Sequence, residues 1–502
     1  MSPTVAALIF CLVIVGLFWL DRDPRSRTSV GLWIVWAWFF LACSRPLSAW
    51  LDPHRVENRS ISTQLVEGSP TDRAALTGLL VLGIIVLVTR RQRAIKSFRS
   101  GLPVALFFGY CLISLLWSDF PDVGIKRWNK ALGDWVMVMI VWTETDPLAA
   151  LKRLIARITY LVIPISILFI KYYGDLGRNY DYLGFAHYTG VTREKNTLGS
   201  LCLLFGLSTL WAIIGLYRNK GPRRLQRFIV QGVILAMIIW MFTILDAMTA
   251  MTCFGLASTV LFASNFKTIR KFKFAIHCVT AIAIAIPVAV TIFGFSPGTL
   301  QQLGRNPTLT DRTGIWQGVI RLTPNKWLGA GFESFWLGPR LEKIVSEVTY
   351  WWVPNQAHNG YIEAYANLGW IGIVLLTAVI LWGYRRIIEM WRGGDATASL
   401  MLAWFVTGVI FNLTEAAFFR MMIPVWLFFL MAITIPRISQ EGAIPEKFPV
   451  APEEMATLVV ADYEAEPLNV LGNFHNRNAV TDPRRWKRTI PHRSDSAVTE
   501  VQ

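Results

Sequence analysis

Apolar runs long enough to cross a membrane recur along most of the chain, separated by short polar stretches rich in Lys and Arg. A spanning helix needs about 20 mostly apolar residues, and fewer where flanking side chains reach back to the interface. Thirteen segments fit: 3–20, 29–43, 74–89, 101–117, 131–143, 154–171, 197–217, 228–245, 248–264, 274–293, 367–383, 398–414 and 421–435. The 131–143 core is short and carries Asp134. Only Asp246 and Ala247 separate the segments 228–245 and 248–264, which predicts a tight helical hairpin. Segment 3–20 lacks a basic leader and runs into Asp21-Arg22-Asp23-Pro24 rather than a small-residue cleavage site, so it reads as a retained span. The expected fold is all-α: a polytopic membrane protein with about 12–13 transmembrane helices. Residues 1–293 hold helices 1–10, 294–366 a large outer loop, 367–435 helices 11–13, and 436–502 a tail.

The loops divide by charge. One alternate set (21–28, 90–99, 146–157, 218–227, 265–273, 384–396) holds 23 Lys and Arg in about 62 residues. The other (44–73, 118–130, 172–196, 246–247, 294–366, 415–420) holds 17 in about 150. Positive loops stay inside, so the first set is cytoplasmic and the N-terminus lies outside. The formal net charge of +16 is thus a topology signal, and no nucleic-acid partner is expected. Loop 294–366 is aromatic and glycine-rich in its centre and should be folded. The tail, with seven prolines and mixed charge, is expected to be mostly disordered.

Composition agrees, with 54% hydrophobic and 16% charged residues against about 25% charged in ordinary soluble domains. It excludes a disordered chain, a collagen-like repeat and a small disulfide scaffold. All six cysteines (11, 43, 111, 202, 253, 278) fall in the apolar segments, so no disulfide framework is implied. No C-x-x-C pair occurs and the histidines have no metal-ligand spacing, so neither a metal nor another cofactor is expected.

Three outer segments carry chemistry. In Thr189-Gly190-Val191-Thr192-Arg193-Glu194-Lys195-Asn196-Thr197-Leu198-Gly199, two cations and Asn196 sit where a loop enters a span. A helix N-terminus there offers unpaired N–H groups and a positive dipole end to an anion; the alternative is that Arg193 and Lys195 snorkel. In Thr310-Asp311-Arg312-Thr313-Gly314-Ile315-Trp316, Asp311 suits an N-cap and Arg312 the first turn. Its fork suits two phosphate oxygens, unless the two residues form a plain surface pair. In Asn355-Gln356-Ala357-His358-Asn359-Gly360-Tyr361-Ile362-Glu363, a histidine stands just outside a span, as a proton acceptor or as an interfacial cap. Trp351-Trp352 has the character of a glycan-stacking surface. Asp134 and Asp246, at or near membrane depth, are functional candidates by default. Glu415 and Arg420, on one short outer turn, read as a structural pair.

These segments, in this order, resemble the O-antigen ligase and polysaccharide polymerase superfamily of bacterial inner-membrane proteins. The resemblance covers roughly 30–435 and adds Trp327-Leu328-Gly329-Ala330-Gly331-Phe332 and Leu368-Gly369 to the motifs above. Ser118-Asp119-Phe120-Pro121-Asp122 resembles the family's exopolysaccharide branch. The resemblance implies a GT-C-like, metal- and cofactor-independent glycosyltransferase at the periplasmic face. It moves a glycan from an undecaprenyl diphosphate carrier to an acceptor hydroxyl, with inversion. Its partners are the undecaprenyl diphosphate-linked oligosaccharide, an acceptor glycan or lipid A–core, membrane lipids and other polysaccharide assembly proteins. By the same resemblance His358 is the base and Arg312 faces the leaving diphosphate. Lys195 or Arg193 stands opposite, Asn196 joins the substrate site, and Asn359 and Glu363 orient His358 or the acceptor. A ligase uses lipid A–core and a polymerase another repeat unit; the 118–122 stretch tilts toward the polymerase. Two rivals are a lipid-linked sugar transporter or flippase, and a non-catalytic scaffold of an assembly complex.

Overall fold

The computed structural model describes residues 1–22, 28–53, 68–180, 184–218, 221, 223–293, 309–349 and 353–436. The expectations for Trp351, Trp352, the side chain of Asp311 and the 437–502 tail lie outside the described residues.

The chain is an all-α polytopic membrane protein. Each of the thirteen apolar segments falls on a helix. Among the described residues six helices are long and apolar enough to span: Pro3–Leu20, Pro70–Thr89, Pro147–Tyr172, Lys195–Arg218, Arg224–Ile244 and Gly360–Arg392. Gly31–Ala42, Ala275–Thr291, Ala398–Phe411 and Pro424–Thr434 are shorter apolar helices. Every residue of Ala398–Phe411 and of Pro424–Thr434 is buried. A helix apolar on all sides is stable where protein surrounds it, so this pair forms the centre of the bundle. Pro3–Leu20 and Pro70–Thr89 instead leave Leu8, Leu12, Val15, Val81 and Val88 exposed, as helices facing hydrocarbon do. Arg224–Ile244 and Met248–Asn265 follow each other across the short 245–247 break, but both pack on Lys195–Arg218 and not along each other, so the expected tight hairpin is not formed.

Two further stretches differ from the sequence reading. Residues 90–99, read as a loop, contain the helix Arg91–Ser100, which meets the next helix at an 83° bend. A basic helix of this kind suits an interface, where hydropathy alone reads only polarity. The helix carrying 131–143 begins at Pro121 and takes up Lys126, Arg127 and Lys130.

The outer segment has an apolar core of its own, built from Ile315, Val319, Phe335, Trp336, Leu341 and Ile344. It is anchored on Gly360–Arg392, which kinks at Gly369 (φ 63°). The kink frees backbone groups that the Trp327–Phe332 stretch takes up. Ala330 N donates to Ala366 O (2.9 Å), Gly331 N to Asn367 O (2.9 Å), and Trp370 N to Lys326 O (2.9 Å). A Cβ on Gly369 would overlap the Trp327 backbone, so the close approach requires glycine. The Ser118–Asp122 stretch is the seat on the other side. Ser118 Oγ meets Ser334 Oγ at 2.6 Å, and Arg340 Nη1 donates to Asp119 Oδ2 at 2.6 Å.

Candidate functional site

The turn after Ala398–Phe411 is closed by one side chain. Asn412 Oδ1 accepts from Ala417 N (2.7 Å) and Phe418 N (2.9 Å), while its Nδ2 donates to Gly408 O (2.7 Å). Folded this way, the turn holds Glu415 inward with a side chain 8% exposed. The start of Gly360–Arg392 is stitched to the same turn. Gly360 N donates to Asn412 O (2.8 Å) and Glu415 O (3.1 Å). A Cβ at Gly360 would overlap Asn412 Oδ1. Asn359 is the N-cap: its Oδ1 accepts from Tyr361 N (3.0 Å) and Ile362 N (3.1 Å), and its Nδ2 donates to Leu413 O (3.0 Å).

Three distant segments then meet on Glu415. Asn196 Nδ2 donates to Oε1 at 3.0 Å. Arg312 Nη2 reaches Oε1 at 3.3 Å, and its Nη1 donates to Thr414 O at 2.6 Å. His358 Nδ1 faces Oε2 at 3.1 Å. Arg312 and His358 keep partial exposure, 26% and 21% of their side chains. A carboxyl group this sheltered needs polar partners, and here an arginine, an amide and an imidazole surround it. The remaining N–H donors of Arg312 have no partner among the described residues. His358 itself sits at φ 50°, the left-handed region that a few per cent of non-glycine residues adopt. Such a backbone costs about 1 kcal/mol or more and persists where its surroundings over-determine it.

Those surroundings lie just before His358. Trp316 Nε1 donates to Ala357 O (2.8 Å), and Ala357 N donates to Glu363 Oε2 (2.8 Å). The other Glu363 oxygen accepts from Trp336 Nε1 (2.7 Å) and Asn367 Nδ2 (3.1 Å). Ala357 is thus held at both its N–H and its C=O.

Of the residues singled out in the sequence, the fold brings Asn196, Arg312 and His358 onto one carboxylate and places Asn359 beside them. Glu363 contacts the backbone before His358; the carboxylate on the imidazole is Glu415. Lys195 turns away to Asp246, 3.9 Å distant. Arg193 is exposed and lines a neighbouring cavity of about 360 Å³ with Lys130, Asp72, Thr197, Met421 and Met422. Arg45 holds the loop before it, donating to Gly190 O (3.0 Å), Val191 O (3.2 Å) and Leu176 O. Burial, and then the charge of Arg193, lower the Arg45 guanidinium from its ordinary range. Asp134 accepts from Trp38 Nε1 (2.8 Å) and Met422 N (3.1 Å), which makes it a brace for the outer turn. Arg420 donates to Gln356 Oε1 (3.1 Å). Glu415 is the residue that sequence reasoning set aside, because Arg420 nearby in the chain offered a simpler partner. A lone carboxylate on a short turn between two fully apolar helices was the available signal.

An arginine and an imidazole on one sheltered carboxylate can accept a proton and meet developing negative charge at a single reacting centre. With Nδ1 turned to Glu415, the tautomer protonated there places the basic lone pair on Nε2.

No family model matches the chain. The chain is 23% identical over 343 residues to the exopolysaccharide production protein ExoQ of Rhizobium meliloti (strain 1021), covering 65% of this chain and 74% of that protein. It is thus a multi-pass, all-α membrane protein similar to an exopolysaccharide production protein.

Proposed function

We propose that this chain is a glycosyltransferase of exopolysaccharide assembly, transferring or polymerising glycan repeat units from an undecaprenyl diphosphate carrier at the periplasmic face of the inner membrane. The observation that carries the reading is the convergence of Arg312 and His358 on Glu415. A base and a leaving-group cation more than about 15 Å apart cannot serve one reacting carbon. Two contacts to a single carboxylate hold them well within that limit.

In the proposed reaction, His358 Nε2 takes the proton of the acceptor hydroxyl. The oxygen attacks the anomeric carbon from the side opposite the diphosphate. The new C–O bond forms, the bond to the phosphate oxygen breaks, and the configuration inverts. Glu415 fixes the imidazole and stabilises the imidazolium that results. Arg312 offers its remaining N–H donors to the departing diphosphate. The cavity beside the site is lined by Arg193 and Lys130, by Asp72 and Glu194, and by apolar Leu41, Leu76 and Met422, a mixed wall in which the apolar part suits a hydrocarbon tail and the two cations would have to face the phosphate. Asn359 acts on the helix start that presents His358, and Glu363 on the loop before it.

The similarity to an exopolysaccharide production protein favours polymerase over ligase. Purified protein with a synthetic undecaprenyl diphosphate repeat unit, with and without lipid A–core, tests this. Chain growth on the repeat unit alone is expected. Product formed only with lipid A–core makes the chain a ligase. Carrier movement across vesicles without any glycosidic product makes it a transporter, and no product with either acceptor, under conditions that preserve the fold, refutes the enzyme.

A further inference from the structure

At the far end of the bundle from Glu415 lies a cavity of about 420 Å³ that the proposed reaction does not use. Asn196 stands in the first turn of the helix Lys195–Arg218, and residues between Ser208 and Arg218 of that helix line the cavity. At about 1.5 Å per residue the two places stand roughly 20–30 Å apart. This is the end at which the dense basic loops gather.

Four cationic side chains line the cavity from three helices: Lys152, Arg218, Arg224 and Arg227. Among the described residues that line it, Asp21 is the one carboxylate. Their placement is held by the fold. Arg224 Nε donates to Leu216 O (2.8 Å), Arg218 Nη1 donates to Asn265 Oδ1 (2.7 Å), and Lys152 Nζ stands 5.5 Å over the Trp211 ring. Arg227 approaches Asp21 at 3.8 Å, and Asp21 also accepts from Tyr160 Oη at 2.9 Å. Positive loops by themselves explain cations at this end. They do not explain four cations from three helices lining one recess, where low-dielectric walls focus their field. Ile155, Ala156, Ile214 and Leu216 supply the apolar part of the wall. Basic pockets between membrane helices are the sites that take up phosphate-bearing head groups.

We propose that this cavity binds a phosphate group, carried by an anionic phospholipid of the surrounding leaflet or by a soluble phosphate. The site is independent of the chemistry at Glu415 and stands or falls without it.

The test uses the full chain in nanodiscs of equal phosphatidylglycerol and phosphatidylcholine, with retained lipid read by native mass spectrometry. Wild type is expected to keep phosphatidylglycerol in preference. Lys152→Gln with Arg227→Gln should lower that preference about fivefold per cation removed. Asp21→Asn should raise it, an opposite change that general unfolding cannot produce. A second arm adds inorganic phosphate to phosphatidylcholine-only nanodiscs and follows thermal unfolding. A rise in melting temperature in wild type that the double variant lacks assigns the site to a soluble phosphate. Equal retention of both lipids together with no response to phosphate overturns the proposal. So does a lipid preference that none of the variants alters.

Discussion

Glu363 and Glu415 are both buried carboxylates, and both act on the few residues around His358. They differ in what surrounds them. Glu363 accepts from an indole, a backbone amide and a carboxamide, none of which titrates near neutral pH. Glu415 accepts from a guanidinium and a carboxamide and faces an imidazole. A carboxylate satisfied by neutral donors fixes a shape. One satisfied by a cation and a titratable ring is linked to side chains that stay partly exposed. Asp134, held by Trp38 and the Met422 amide, belongs with Glu363.

The sharpest way to break this comparison is at His358. His358→Ala is expected to lower the initial transfer rate about 10²–10⁴-fold with an unchanged melting temperature, since a positioned base contributes on that scale. Glu415→Gln should approach the same loss, because an amide cannot stabilise an imidazolium. Full activity in either variant removes that residue from the mechanism. Arg312→Ala should cost about 10²–10³-fold in rate, the size of losing one donor to developing charge. The loss should fall on kcat more than on KM, and an effect confined to KM would mark Arg312 as a binding residue only.

Glu363→Gln should behave in the other way. It leaves buried donors mismatched, which costs about 1–3 kcal/mol and lowers the melting temperature. Its rate at a temperature where the fold survives should stay within about tenfold of wild type. A loss equal to that of Glu415→Gln, at unchanged melting temperature, would erase the distinction drawn above. The smallest effects belong to the cations outside the cluster. Arg193→Ala should raise KM for the lipid donor about fivefold, the scale of one cation beside a phosphate. Lys195→Ala, whose charge is turned to Asp246, should change KM less. A larger effect from Lys195 than from Arg193 would reverse the assignment of the cavity beside the site.

The helices were legible because a run of about 20 apolar residues has few alternatives to a helix in lipid or in a core of helices. Hydropathy does not distinguish those two surroundings. Ala398–Phe411 reads like a lipid-facing span, yet it is enclosed by protein on every side. The site was legible in part. His358 stands out as a polar residue just outside an apolar span, and Arg312 as a cation in the first turn of a helix within the large outer loop. Glu415 does not, because its meaning depends on Asn196, Arg312 and His358, which lie 219, 103 and 57 positions away. Glu363 announced a carboxylate near the histidine, but its partners Trp336 and Asn367 come together only when the outer segment docks on the Gly369 kink.

If the proposed transfer takes place here, Glu415 also sets how charge moves through a turnover. An arginine, a carboxylate and an imidazole share the cluster, so a proton gained or lost by the ring changes its net charge by one. Under the proposed reaction, the proton taken by His358 charges the cluster positive in the same event that turns the carrier into a free diphosphate. The cluster then works as a capacitor that the chemistry itself charges. Its hold on the anionic product is strongest at the instant of bond breaking and weakens when the proton leaves, Arg312 remaining.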